Sequence, residues 1–311
     1  MSSMFFLVAF SHAATPMPKQ IKIVVPFLAG ASNDSIARVI APRLSELLHA
    51  NVIVENRAGA AGVIGSDHVA KAPKDGSVLL LTSSTFVTAA ATQPTIPYDA
   101  VKDFIPVAMI GEGPLVIAVS SEKNYESFDE LLKAARANPS VLNYGTAGIG
   151  SLAHLATTLL GDAANIDIVH VPYKGSANAA SDLAGGRIDL MLANYSSLAS
   201  LLPTGKVKLV ATTALGKHAA FPDLPSAAQS VPGYGVDIWV GVFAPAGTPA
   251  DLIETLNKAV NEAGQSHQLA GLLELDGTVP SAIGSKEFSV RVAADLDRWK
   301  ALAQQHHITA N

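Results

Sequence analysis

Short apolar runs alternate along almost the whole chain with segments whose apolar positions recur every three or four residues. The runs are typical of strands buried on both faces, and the 3.6-residue period is typical of helices that cover such a sheet. The pattern predicts strands over residues 21–27, 51–56, 77–82, 107–110, 115–120, 141–144, 167–171, 188–193, 206–213 and 238–244. It predicts helices over residues 33–48, 65–71, 128–138, 151–163, 177–184, 249–265 and 286–305. This alternation indicates an α/β fold.

The chain contains no internal repeat, low-complexity tract or long linker. Its 311 residues are enough for two lobes joined by chain crossings. We expect the crossings near residues 120–125 and 232–238, where extended segments adjoin Gly, Pro and charged residues. One lobe then comprises residues 18–120 with 236–311, and the other comprises residues 121–235.

Charge and cysteine content exclude several classes of partner and chemistry. The chain carries 21 Lys and Arg against 26 Asp and Glu, a formal net charge of −5, without a run of like charges. We therefore expect no nucleic-acid partner. Because the chain has no cysteine, disulfides, thiolate nucleophiles and cysteine-based zinc sites are excluded.

The first residues resemble the end of a secretory signal. Residues 4–10 form an apolar run too short to span a bilayer, and small residues follow at Ser11, Ala13 and Ala14. The basic residue that usually precedes such a run is missing. We interpret residues 1–17 as a signal remnant, against the alternative of a mildly apolar N-terminus.

A glycine-rich loop, NYGTAGIGSLAH, lies between a predicted strand and a predicted helix at residues 143–154. Its Gly148, Gly150 and Ala153 have the G-x-G-x-x-A spacing of a dinucleotide fingerprint. That function also needs an acidic residue at the end of the next strand, where the chain has Pro172-Tyr173. We therefore expect no nucleotide cofactor.

Ser151 and His154 could share one helical face as a nucleophile and its base, which keeps a hydrolase or lyase as an alternative. The loop does not match G-x-S-x-G, and serine at a helix start is more commonly an N-cap. The histidines lack ligand spacing, and His306 and His307 are adjacent, so no metal site is predicted.

The same loop is suited to binding an anion through its backbone. Its glycines allow N–H groups to approach a ligand, and the helix that follows presents its positive end. A second loop of this kind, PFLAGASND at residues 26–34, contains Gly30 and leads into a helix near Ser32. Two such loops, one per lobe, suggest a negatively charged ligand held between the lobes. The alternative is that Ser32, Asn33 and Ser151 only cap helices.

Eight segments follow one another along about residues 18–299: IKIVVPFLAGASNDSIAR, VIVENRAGAAGVIGSDHVAKA, DGSVLLLTSST, IPYDAVKDFIPVA, LNYGTAGIGSLAHL, IVHVPYKGSANAASDLAGGRIDLML, FPDLPSAAQSVPGY and WVGVFAPAGTP. With these segments in register, the chain resembles the Bug, or TctC-type, receptors of bacterial tripartite tricarboxylate transporters. The resemblance implies a two-lobed periplasmic-binding-protein fold of type II, with mixed sheets flanked by helices and a ligand cleft between the lobes.

The resemblance also implies the residues that bind the ligand's carboxylate, chiefly through backbone N–H groups and small side chains. The first loop contributes Phe27, Ala29, Gly30, Ala31, Ser32 and Asp34. The second loop contributes Thr146, Ala147, Gly150 and Ser151, with His154 nearby. Ser83, Ser84 and Asn194 are expected to line the rest of the cleft.

Two departures from the family pattern bear on the site. Ala31 replaces the second of two usual glycines, so either its methyl group intrudes or the loop avoids positive φ there. Ala193 stands where many members have aspartate before Asn194. Loss of that carboxylate disfavours amino-acid ligands if it normally meets an ammonium group.

The sequence thus predicts a periplasmic solute-binding receptor with no catalytic activity. Its expected ligand is a small organic acid: a di- or tricarboxylate, or an aromatic carboxylate. Its expected partners are the membrane subunits of a tripartite tricarboxylate transporter. A sensory receptor that reports to a signalling protein is a further alternative.

Overall fold

A computed structural model describes residues 15–310. All but the last three residues of the predicted signal remnant, 1–17, lie outside the described part. Eleven strands are present there: β1 Gln20–Val25, β2 Asn51–Asn56, β3 Val78–Ser83, β4 Phe104–Pro114, β5 Val116–Ser120, β6 Asn143–Thr146, β7 Val169–Pro172, β8 Leu190–Ala193, β9 Val207–Thr212, β10 Asp237–Pro245 and β11 Val279–Pro280. The α-helices are α1 Ser32–Leu48, α2 Val63–Ala70, α3 Thr85–Thr92, α4 Phe128–Ala137, α5 Leu152–Ala164, α6 Ser176–Ala184, α7 Ala250–Gly264, α8 His267–Glu274 and α9 Ser285–Gln305.

The strands form two mixed sheets. The first has six strands in the order β11-β4-β10-β3-β1-β2, in which β1 is parallel to β2 and β3 while β10 runs antiparallel to β3 and β4. The second has five strands in the order β7-β6-β8-β5-β9, in which β6 is parallel to β7 and β8. The α/β prediction is therefore confirmed, with each sheet forming one lobe.

Two helices were not predicted. Helix α3 has the sequence TFVTAAAT, whose threonines and valine have low helix propensity. Helix α8 is short and follows α7 after only Gln265 and Ser266. Strand β4 is longer than predicted because it includes Pro106, Gly111 and Gly113, residue types that interrupt a strand pattern.

The first crossing between the sheets differs from the prediction. Strand β5 pairs with β8 and β9, so the chain enters the second sheet at Leu115 and not within residues 120–125. All five residues of β5 are buried. An apolar run of this kind fits a central strand of the first sheet as well as one of the second, so the sequence alone could not assign β5 to a sheet.

Thr213 joins the two crossings. Its Oγ1 accepts a hydrogen bond from the Leu115 N–H at 2.8 Å and donates one to the Val236 carbonyl. Its backbone N–H donates to the Leu115 carbonyl at 2.9 Å, and its carbonyl accepts from the Val236 N–H at 3.0 Å. Thr213 is fully buried, so these bonds are shielded from water. Thr213 therefore links the two segments that connect the lobes.

One apolar cluster extends through both lobes. It includes Val24 and Leu80 of the first sheet, Leu155 and Leu190 of the second lobe, and Trp299 of helix α9. Helix α9 contacts both α3 and α5, which belong to different lobes.

No helix within residues 15–310 has the length and apolar character needed to cross a membrane.

Candidate ligand-binding cleft

A cavity of about 540 Å³ lies between the lobes. We call it the interlobe cavity. It lies at the carboxyl ends of β1 and β3 in the first sheet and of β7 and β8 in the second, where α/β proteins commonly bind ligands. Its lining residues are Phe27, Ala31, Ser32, Asn33, Ile36, Ser83, Thr85, Ala147, Gly175, Ser176, Asn194, Ser196, Ser197, Ile238, Val240, Leu272, Leu273, Asp276 and Thr278.

Three helices begin at this cavity without a side-chain cap: α1, α3 and α6. In α1 the first intrahelical bond runs from the Ser35 N–H to the Ala31 carbonyl, so the preceding N–H groups have no partner within the helix. The first bonds of α6 run from Asn178 and Ala179 to Gly175. Uncapped N–H groups and the positive helix ends together favour an anion in this cavity.

Only half of the predicted first loop lines the cavity, namely Phe27, Ala31 and Ser32. Asp34 instead holds the loop in shape. Its carboxylate accepts hydrogen bonds from the Gly30 N–H at 2.8 Å, from Arg38 at 2.9 Å and from Asn56 at 2.9 Å. The Arg38 bond is the main reason why the pKa of Asp34 is lowered to about 2.

The loop turns at Gly30, whose φ is +83°, and Ala31 has a φ of −70°. The loop therefore avoids positive φ at residue 31, which is the second of the two alternatives that the sequence left open. Ala29 and Gly30 are exposed but do not line the cavity.

The predicted second loop contributes Ala147 alone to the cavity. The Gly150 N–H is used internally and donates to Nδ1 of His154 at 3.1 Å. A Cβ at Gly150 would lie 2.4 Å from Oγ1 of Thr92 and 3.0 Å from Cβ of Ala310, so this glycine permits close packing between the lobes. Ser151 caps α5 by accepting from the His154 N–H at 3.3 Å. Neither Gly30 nor Gly150 lines the interlobe cavity, whereas Ala31 and Ala147 of the same two loops do.

The remaining predicted residues divide in the same way. Ser83 and Asn194 line the interlobe cavity. Ser84 is buried, and its Oγ accepts a hydrogen bond from the Trp239 N–H at 2.8 Å, so it fastens β10 to the start of α3. Thr146 is also buried, with its Oγ1 2.6 Å from Nε2 of His170.

The second-lobe helix that begins at the interlobe cavity is α6, whereas the sequence predicts that the loop before α5 binds the ligand. Gly175 and Ser176 follow β7 and line the cavity. The sequence signal at α6 is one glycine and one serine between a strand and a helix, and it is weaker than the glycine-rich loop before α5. Asp276 and Thr278 also line the cavity, and the sequence gives no signal for them because its pattern predicts no element over residues 266–285.

His154 lies in a second, smaller cavity of about 240 Å³ with Asp162 and His306. Its ring stacks on that of His170 with centroids 3.8 Å apart. Burial is the main reason why the pKa of both imidazoles is lowered to about 4, and charge repulsion from His170 and His306 also lowers the pKa of His154. Ser151 Oγ accepts from the His154 backbone N–H, and neither residue lines the interlobe cavity, so the structure does not favour the alternative in which they act as nucleophile and base.

Stability is expected to fall as the pH decreases from about 6.5 to about 4. The unfolded chain binds protons on His154 and His170 in this range, whereas the folded protein does not until the pH nears 4. Each ring contributes up to about 1.4 kcal/mol per pH unit to the slope of the free energy of unfolding against pH. Urea denaturation at several pH values measures this slope, and we expect His170→Gln to reduce it. An identical slope in this variant would show that the stacked rings do not carry the effect.

Residues 36–308 match the family model described as tripartite tricarboxylate transporter family receptor. The chain is 39% identical over 300 residues to the UPF0065 protein in the tcbD-tcbE intergenic region of Pseudomonas sp. (strain P51), covering 94% of this chain and 88% of that protein. Among solved structures, R. palustris Rpa4515 with adipate superimposes with a TM-score of 0.80 at 34% identity, covering 93% of this chain and 98% of that one. MatC (Rpa3494) from Rhodopseudomonas palustris with bound malate gives a TM-score of 0.76 at 29% identity, covering 91% and 98%.

These similarities confirm the two-lobed periplasmic-binding-protein fold that the sequence predicts. Within residues 15–310, no three His, Asp or Glu side chains are grouped so as to hold a metal ion. The matching family and structures are solute-binding receptors, so the protein is a receptor and not an enzyme. The chain belongs to the tripartite tricarboxylate transporter receptor family.

Proposed function

We propose that the protein is a periplasmic receptor that captures a small organic carboxylate between its lobes and delivers it to the membrane subunits of a tripartite tricarboxylate transporter. The observation that carries the proposal is the meeting of three uncapped helix starts, α1, α3 and α6, at one cavity. The adipate and malate bound by the two solved relatives support a carboxylate as the ligand.

Backbone N–H groups suit a receptor that must bind and release its ligand. Each charge-assisted hydrogen bond to a carboxylate contributes about 1.5–3 kcal/mol. The donors are already oriented by their helices, so little reorganisation is needed on binding. Among the described residues that line the cavity, none is Lys or Arg, which leaves the helix starts as the source of positive potential.

Closure of the lobes couples capture to delivery. Ser32 belongs to the first lobe and Ser176 to the second, and both line the cavity. A carboxylate that contacts both helix starts favours the closed arrangement, so binding shifts the population toward it. The membrane subunits can then recognise the loaded receptor by the relative position of its lobes.

Isothermal titration calorimetry against di- and tricarboxylates, aliphatic and aromatic monocarboxylates and their uncharged amides tests ligand capture. We expect at least one carboxylate to bind with a Kd below the millimolar range and its amide to bind at least tenfold more weakly. Equal affinity for acid and amide, or no binding by any acid, would refute the proposal.

Uptake of the identified ligand into cells tests delivery. We expect uptake to require both this receptor and the membrane subunits of a tripartite transporter. Normal uptake without the receptor, together with a ligand-dependent transcriptional response that needs it, would indicate the sensory alternative.

A further inference from the structure

The interlobe cavity has an apolar wall, and among its described lining residues only Asp276 carries a charge. Six large apolar residues contribute to the wall: Phe27, Ile36, Ile238, Val240, Leu272 and Leu273. The other side chains of the described lining are small or carry neutral hydroxyl or amide groups, except for Asp276. A ligand that fills this space therefore meets one carboxylate and no cationic side chain of the lining.

Asp276 is held in place from across the cleft. Its Oδ1 accepts a hydrogen bond from the Ser196 N–H at 2.7 Å, and its Oδ2 accepts one from Ser196 Oγ at 3.0 Å. Ser196 lies in a short 3-10 helix after β8 in the second lobe, whereas Asp276 follows α8 in the first. These neutral donors fix the position of the carboxylate, and no Lys or Arg within residues 15–310 forms an ion pair with it.

From this arrangement we infer that the ligand is a monocarboxylate with an apolar body, and that Asp276 selects against a second carboxylate. This inference rests on the proposed function. The carboxylate of the ligand occupies the helix starts, its apolar body contacts the wall, and its far end faces Asp276. A second ionised carboxylate at that end lies close to a like charge. We expect this repulsion to weaken binding about tenfold or more.

Matched pairs of ligands test the inference. Hexanoate and adipate differ at one end by a methyl group and a carboxylate, and benzoate and terephthalate differ only by a second carboxylate. Calorimetry at pH 7.5 and fixed ionic strength should give at least about tenfold tighter binding of the monocarboxylate in at least one pair. In Asp276→Asn, which keeps the shape of the side chain and removes its charge, we expect this ratio to fall by at least about fivefold.

Ser196→Ala provides the control. It removes one bond between the lobes but leaves the charge of Asp276, so it should change the affinities for both members of a pair by the same factor. A thermal melt of each variant confirms that it is folded.

The outcomes separate the two proposals. If dicarboxylates bind the unmodified protein as tightly as the matched monocarboxylates, the inference is wrong while carboxylate capture stands. An unchanged ratio in Asp276→Asn also overturns it, because the selectivity then has another source. If no carboxylate binds, the proposed function itself fails.

Discussion

Replacing Ser32 with aspartate is expected to weaken carboxylate binding at least about 100-fold, equivalent to about 3 kcal/mol. Ser32 is the first residue of α1, is exposed and lines the interlobe cavity. A carboxylate at this position competes for the N–H groups of the first turn and repels the ligand. The same charge interacts favourably with the helix dipole by about 0.3–1 kcal/mol, so the fold should not be weakened.

Ser32→Asn is the matched control, since asparagine has the shape of aspartate without its charge. We expect it to retain binding within about tenfold of the unmodified protein, a loss smaller than that of the aspartate variant. Calorimetry and thermal melts of both variants provide the measurement. Near-normal binding by folded Ser32→Asp would show that the start of α1 does not hold the carboxylate.

Thr213→Val is expected to lower the free energy of unfolding by about 2–6 kcal/mol. Valine keeps the shape of threonine but removes the hydroxyl, which leaves the Leu115 N–H and the Val236 carbonyl without this buried partner. Each buried polar group without a partner costs about 1–3 kcal/mol. The lost hydrogen bonds join the two segments that connect the lobes, so we expect lobe closure to be affected as well as stability.

Chemical denaturation measures the effect, and Thr213→Ser serves as the control because it keeps the hydroxyl. We expect the serine variant to lose less stability than the valine variant. An unchanged stability of the valine variant would show that the hydrogen bonds of the Thr213 hydroxyl are dispensable, and a larger loss in the serine variant would show that the methyl group contributes more than the hydroxyl.

The sequence predicted the sheet-forming runs and most helices because burial on both faces gives a strong local signal. Strand β5 shows the limit of this signal. Its five residues are all buried, and that pattern does not distinguish the first sheet from the second. Helix α3 shows another limit, because its packing against α9 overrides the low helix propensity of its threonines.

The candidate ligand-binding cleft was less predictable because the sequence does not show which N–H groups remain free. Gly150 and Gly175 both precede helices, but only the loop before α5 has a capping serine and a histidine that accepts a loop N–H. That difference depends on where His154 is packed, and on contacts of Gly150 with residues distant in sequence such as Thr92 and Ala310. Membership in the family was nevertheless evident from its segments in register.

The uncapped starts of α1, α3 and α6 also bear on how such a receptor can diversify. Main-chain donors persist when side chains are exchanged, provided that the helices keep their positions. If the acid group binds at the helix starts as proposed, the wall residues Phe27, Ile238 and Leu272 can be varied to recognise acids with other apolar groups without loss of the carboxylate contacts. A library randomised at these positions offers a route to sensors for other acids from this one scaffold.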